Sequence, residues 1–245
     1  MKPIELLARL SNYLRGFGYG SFSVRREVAA LKPFVKKGVF IDGGANTGAY
    51  SRQLLKTFEH SIDELHMFEP NKLLDCAPSP IQSKKILLNR MALSDRNGSA
   101  SLYQVEGQSG LSSLTKRNLE HRELKMDVCS VVETITLDSY LAKHCIKKVE
   151  FLKLDIEGHE LDALRGALDA LLNRSIRCIQ FEFGGCNVDT RTYFRDFWNL
   201  LVDINGFIIF RLTPFGAKRL HQYSELDEVF VTVNYLAVLQ NDNLR

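Results

Sequence analysis

The stretch Val39-Phe40-Ile41-Asp42-Gly43-Gly44-Ala45-Asn46-Thr47-Gly48-Ala49-Tyr50 decides how the rest of the chain is read. Its apolar start, with two β-branched residues, predicts a short buried strand. The glycines predict a turn, and Ser51 to Lys56 carry the pattern of a helix start. A strand feeding a glycine turn and a fresh helix is where α/β proteins hold adenosyl-type ligands. Glycines let backbone approach the ligand closely, and the new helix offers unpaired N–H groups.

Glycine spacing separates the ligands that such a turn could take. A dinucleotide fingerprint needs glycines at i, i+2 and i+5. From Gly43 the second position is Ala45; from Gly44 it is Asn46, with Ala49 at the third. Neither register fits, which disfavours a nicotinamide-dependent oxidoreductase. The pattern that fits is acidic-x-Gly-x-x-x-Gly, met by Asp42, Gly44 and Gly48. It resembles motif I of the class I S-adenosylmethionine (SAM) methyltransferases. Asn46 stands where a middle glycine would, and Asn tolerates a left-handed backbone.

Downstream, Glu64 to Phe68 reads as a second strand ending on Glu69-Pro70-Asn71. Glu69 lies 21 positions after Gly48, near the gap expected for a carboxylate that binds a ribose. It can accept from two adjacent hydroxyls at once, and Asn71 shares its loop. A third strand is expected over Ile86–Leu93, ending at Ser94-Asp95, with Ala92, Leu93 and Ser94 as candidates for an adenine pocket. The small residues of the polar stretch Glu106–Leu114 could close over the cofactor or present hydroxyls to a substrate, but composition favours a mobile surface loop, and the charge-dense residues 115–127 read as a solvated segment. Val131–Leu137 is strand-like, and Asp138 or Ser139 is suited to cap a short helix, Tyr140 to His144.

A second informative stretch is Val149 to Glu160. A buried strand ends at Asp155, and a helix placing Leu161, Leu164, Leu168, Leu171 and Leu172 on one face follows. Asp155, Glu157 and Glu160 therefore gather at a strand's carboxyl end and a helix start, where ligands sit in open α/β sheets. Helix dipoles also favour acids there, the reading preferred for Glu160. His159 has the chemistry of a general base near neutral pH. Ile176–Phe183 reads as another strand, in which Glu182 alternates with phenylalanines; a carboxyl so placed needs a partner, a proton or a metal. A helix over residues 190–202 and strands over 207–212 and 229–238, joined by a 16-residue loop, close the chain.

The organisation expected is an N-terminal helical extension over residues 1–36 and one α/β domain over 37–245. The extension is a lid, a packing layer, or a surface for a homodimer. The 245 residues suit one α/β domain with a small addition. A net charge of +3 gives no case for nucleic acid. Five scattered cysteines without a C-x-x-C pair argue against a disulfide framework or a zinc site. No signal peptide and no transmembrane run is read, so a cytoplasmic location is expected.

Taken together, Asp42–Gly48, Phe68-Glu69-Pro70, Ala92–Asp95, Thr136-Leu137-Asp138 and Leu152–Glu160 resemble the FkbM-type methyltransferase family. The resemblance covers about Val39 to Phe183. It implies a Rossmann-like class I fold: a seven-stranded, mostly parallel sheet with an antiparallel last strand and helices on both faces. It also implies SAM as cofactor and O-methylation of a hydroxyl on a small-molecule or glycan acceptor, a sugar or secondary metabolite. By motif, Asp42, Gly43, Gly44, Asn46, Thr47 and Gly48 would line the methionine end of SAM. Glu69 and Asn71 would lie at the ribose, Ala92, Leu93 and Ser94 at the adenine, and Asp155 near the methyl group. Asp155, Glu157, His159 and Glu182 are then the catalytic candidates, acting directly as bases or through a bound Mg²⁺. A cofactor-binding scaffold without catalysis is the alternative from another functional class.

Overall fold

The computed structural model describes residues 3–18, 24–72 and 85–240. Two helices come first, α1 (Pro3–Leu14) and α2 (Val24–Ala30). β1 (Gly38–Gly43), α3 (Ala49–Thr57), β2 (Ile62–Phe68) and β3 (Lys85–Asn89) follow. A second group comprises β4 (Ala92–Leu93), β5 (Gly98–Val105), β6 (Gln108–Ser113) and β7 (Val128–Ile135). Next come α4 (Leu137–Lys143), β8 (Val149–Leu154), α5 (Glu160–Arg165), α6 (Leu168–Leu172) and β9 (Ile176–Phe183). The chain closes with α7 (Cys186–Thr190), α8 (Phe194–Trp198), β10 (Phe207–Thr213), β11 (Gly216–Arg219) and β12 (Val233–Leu239).

The main sheet runs β11-β10-β12-β9-β8-β1-β2-β3. Strands β3, β2, β1, β8 and β9 are mutually parallel. β12 runs antiparallel to both of its neighbours, β9 and β10. The order reverses between β1 and β8, so the carboxyl ends of these strands open a crevice.

Alternation along the central strands divides the core between the two faces. Ile41, Leu152 and Ile179 pack with Leu137, Leu161, Leu164 and Leu171 of α4, α5 and α6. Phe40, Phe151 and Cys178 pack on the other face with Val28, Leu54 and Leu55 of α2 and α3. Helices thus cover both faces, which is why the strands read as nearly continuous apolar runs.

Several expectations need correction. Among the described residues the main sheet has eight strands, not seven, because the closing loop is not all loop. Residues Gly216–Arg219 fold back on β10, pairing Thr213 with Gly216, and Gly216 supplies the left-handed φ of 110° that the tight return requires. The single strand expected over Ile86–Leu93 breaks at Arg90-Met91. Its first part joins the main sheet and its last two residues pair with β7. That pairing starts a second sheet of order β4-β7-β5-β6, which the sequence reading did not foresee. Its last strand, β6, replaces the mobile loop expected over Glu106–Leu114: Tyr103 pairs with Ser113 and Val105 with Gln108.

The helix expected after Gly158 divides into α5 and α6. At the break, a Cβ on Gly166 would lie 2.0 Å from the Ser94 carbonyl oxygen, so the backbone must touch there. Leu168 and Leu172 consequently point outward instead of joining one apolar stripe. α4 is capped by Thr136, whose side chain accepts the Ser139 N–H, while Asp138 accepts the Asp169 and Ala170 N–H groups and fixes the start of α6. The helix expected over 190–202 is α8 continued by a π turn over residues 199–204, with α7 a separate short helix. The last strand begins at Val233, four residues later than expected.

The two N-terminal helices behave differently. α1 is exposed along Ile4, Leu7 and Leu10, and Phe17 after it enters the core. α2 buries Val28 against α3 and directs Glu27 inward. The proposed helical extension of residues 1–36 therefore contains one helix that is part of the packed layer. No helix among the described residues is long and apolar enough to cross a membrane.

Candidate active site

A cavity of about 420 Å³ opens at the carboxyl ends of β1, β2, β8 and β9. The turn after β1 forms one wall. Gly44 (φ 81°) and Asn46 (φ 46°) both take left-handed conformations, as the sequence pattern requires. A Cβ on Gly44 would lie 1.9 Å from the Asp155 carbonyl oxygen, so this position admits only glycine. The ends of β1 and β8 are thereby pressed together. Glu69 accepts the Asn46 N–H at 2.7 Å on one oxygen and the Asn71 N–H at 2.9 Å on the other. Each oxygen keeps a lone pair for a ligand hydroxyl. Burial raises the Glu69 pKa.

The four-stranded sheet supplies the roof. Ser109 to Leu114 line the cavity, and the Ser109 hydroxyl donates to Asn46 Oδ1 at 2.9 Å. Met91, Ala92, Leu93 and Leu102 form an apolar side. Ser94 is buried beside them; its hydroxyl donates to Asp95 and stands 3.5 Å from His159 Nε2.

Across from the turn stand Asp155, Glu157, His159 and Glu182, brought into one cavity with Lys153. Lys153 Nζ lies 3.1 Å from Asp155 Oδ2 and 3.6 Å from Asp42 Oδ1, and it sits 4.6 Å from the centre of the Tyr50 ring. Burial alone would lower the Lys153 pKa, but Asp155, Asp42 and Glu27 raise it above the usual lysine range. Glu182 is held protonated to well above ordinary carboxyl values by burial and by the charges of Asp155, Glu157 and Glu160. Burial and Asp155 push Glu157 up to about 7, even though Arg117 pairs with it. Burial lowers the pKa of His159.

Not every candidate faces the cavity. Asp42 is fully buried behind the turn, where the Ser51 hydroxyl donates to it at 2.6 Å and Lys153 neutralises it. Gly43 contacts Leu154 and Leu93, and Gly48 begins α3, so both shape the turn without lining the cavity. Asn71 supports Glu69 from behind. Glu160 is a helix-start acid: it accepts the Ile156 and Gly158 N–H groups and bends the loop that presents Glu157.

Sequence reasoning missed four members of the site. Arg117 is buried between Glu157 and Asp189, with its Nε 3.4 Å from the latter. It lies in the charge-dense segment read as solvated, and nothing local distinguishes it from its neighbours. Lys153 did carry a signal: a lysine inside a strand otherwise built to be buried needs a buried acid. Glu27 and Gln180 join Tyr50 in a chain, the Tyr50 hydroxyl donating to Gln180 Oε1 at 2.6 Å and the Gln180 amide donating to Glu27.

The donor set suits an adenosyl cofactor: a glycine turn, a carboxylate one strand over, and an apolar side at the next strand end. Among the described residues no three His, Cys, Asp or Glu side chains stand together where they could hold a metal ion. The cation facing Asp155 is Lys153 instead.

A sequence model of the methyltransferase FkbM domain matches residues 42–209, a span that contains the turn, Glu69, Asp155 and Glu182. The chain belongs to the FkbM methyltransferase family. Membership disfavours the oxidoreductase reading. The chain is 27% identical over 185 residues to the 2-O-methyltransferase NoeI of Sinorhizobium fredii (strain NBRC 101917 / NGR234), covering 68% of this chain and 74% of that protein. Its fold resembles the crystal structure of methyltransferase FkbM from Methylobacillus flagellatus KT, with a TM-score of 0.50 and 16% identity over 82% of this chain. The match spans only 43% of that longer chain, so the likeness shows the shared fold alone. The family match starts at residue 42; α2 and its Glu27 lie outside it.

Proposed function

We propose that this protein transfers the methyl group of SAM to a hydroxyl of a small-molecule or glycan acceptor, a sugar or a secondary metabolite. One observation carries this reading. The cavity joins the turn after β1 and Glu69 after β2 to Asp155 after β8 and Glu182 near the end of β9. In this reading a cofactor cradle and a pair of acids share one cavity. The name of the NoeI relative, a 2-O-methyltransferase, supports an oxygen acceptor.

SAM, when bound, supplies a methyl group already activated on a sulfonium. The chain must hold the acceptor oxygen in line at about 3 Å and remove its proton. Asp155, with Lys153 as counter-ion at 3.1 Å, is placed to take that proton. Glu182, kept protonated by burial, donates a hydrogen bond that orients the acceptor. Two carboxyl groups then divide the work of base and donor. Glu157, tied to Arg117, shapes the acceptor side, while His159, beside Ser94, belongs with the adenine.

Calorimetric titration with S-adenosylhomocysteine and with NAD⁺ tests the cofactor. Micromolar binding of the former and none of the latter is expected; NAD⁺ binding alone would overturn the reading. Turnover that survives thorough treatment with EDTA is also expected, and its loss would replace direct base catalysis with a metal.

A further inference from the structure

Glu27 is the carboxyl of the cavity that no motif explains. It sits on α2, ahead of the family match, yet it is 6% exposed and lines the same cavity as Asn46 and Asp155. Gln180 donates one hydrogen bond to it. The cation acting on it, Lys153, is already shared by Asp155 and Asp42. A buried carboxylate with one amide partner and a cation committed elsewhere lacks a counter-charge. Burial accordingly holds Glu27 up at about 7.

The position of that missing charge follows from the cavity. An adenine against Met91–Leu93 and a ribose on Glu69 would direct the far end of an extended adenosyl cofactor along the turn, toward Tyr50, which lines the same cavity at the start of α3. Glu27 is at that end, linked through Gln180 to the Tyr50 hydroxyl. The cofactor's amino-acid end carries an α-ammonium group, a compact cation with three donors.

We propose that Glu27 binds the α-ammonium group of SAM, so that a helix outside the family domain completes the cofactor site. The inference rests on the SAM reading above. No bond is made or broken; the carboxylate receives an ammonium N–H in place of a missing counter-ion.

The test is a thermodynamic cycle in calorimetry, needing no acceptor. Wild-type protein and Glu27→Gln are each titrated with S-adenosylhomocysteine and with its analogue lacking only the α-amino group. Removing the amino group is expected to weaken wild-type binding at least tenfold and to change binding to Glu27→Gln less than threefold. An equal loss in both proteins overturns the proposal. Failure of wild-type protein to bind S-adenosylhomocysteine at all would instead sink the SAM reading, so the two failures are distinct. Should Glu27→Gln lose its cooperative thermal transition, Glu27→Asp carries the same cycle. The shorter carboxylate is expected to shrink the amino-group effect severalfold, and an undiminished effect overturns the proposal.

Discussion

Lys153 and Asp155, two residues apart at the end of β8, reach each other at 3.1 Å instead of pointing to a common solvent face. The lysine is almost fully buried and also stands 3.6 Å from Asp42 behind the cofactor turn. One ammonium thereby ties the turn to the acid proposed to take the acceptor's proton. Asp155→Asn keeps the shape and loses the base. Methyl transfer is expected to fall 10²- to 10⁴-fold, the range for loss of a general base, with S-adenosylhomocysteine affinity held within about threefold. Undiminished turnover in Asp155→Asn would move the proton to another group.

Gly44 should tolerate no side chain. Alanine there would place its Cβ 1.9 Å from the Asp155 carbonyl oxygen at a φ of 81°. Gly44→Ala is expected to cost about 2 kcal/mol or more and to lower cofactor affinity together with Tm. A variant of wild-type Tm would show that the two strand ends are not in contact.

Glu160 gives a pH signature. Burial raises its pKa from 4.5 to about 8, so the folded state binds its proton more tightly than the unfolded chain does. Its contribution to stability is then fully present below about pH 4.5 and is lost as pH rises to about 8. Glu160→Gln keeps an oxygen for the Ile156 and Gly158 N–H groups and removes the titration. Relative to wild type, its Tm is expected to rise with pH across that window, by the equivalent of roughly 4 kcal/mol at pH 8. A pH-independent difference in Tm would place the titration elsewhere.

Arg117 is held by Glu157 and Asp189 and is nearly inaccessible. Arg117→Met removes the cation and leaves both acids in place, at a cost of about 3 kcal/mol in thermal or urea unfolding. Asn118 donates its N–H to the same Asp189 at 3.0 Å, so the segment after β6 should also loosen and exchange its amide protons faster. Protection equal to wild type across residues 115–126 would count against this account.

The β1 turn was legible because its chemistry is local. Asn46 and Gly44 need left-handed backbone, and that requirement is written in their identities. The Glu69 spacing and the acids at Asp155 and Glu182 were legible for a related reason: strand ends are set by short apolar runs. Arg117, Glu27 and Gln180 were not legible. Their roles depend on partners 40, 153 and 130 positions away, and such distances leave no pattern in a window of sequence. The second sheet was hidden because Ala92-Leu93, two residues long, carries no period of its own. Glu106–Leu114 was misread because Gly and Ser, poor strand formers, are held there by pairing with β5.

The absent Cβ at Gly44 has a consequence for the geometry of the proposed reaction. In the proposed reaction the turn that would hold the donor and the strand end that would face the acceptor are backbone in direct contact, so the sheet itself would set their separation. The roof hairpin and the turn carrying Arg117 line the same cavity but stand outside that contact, so substitutions there would alter the acceptor side of the proposed site without moving the two strand ends.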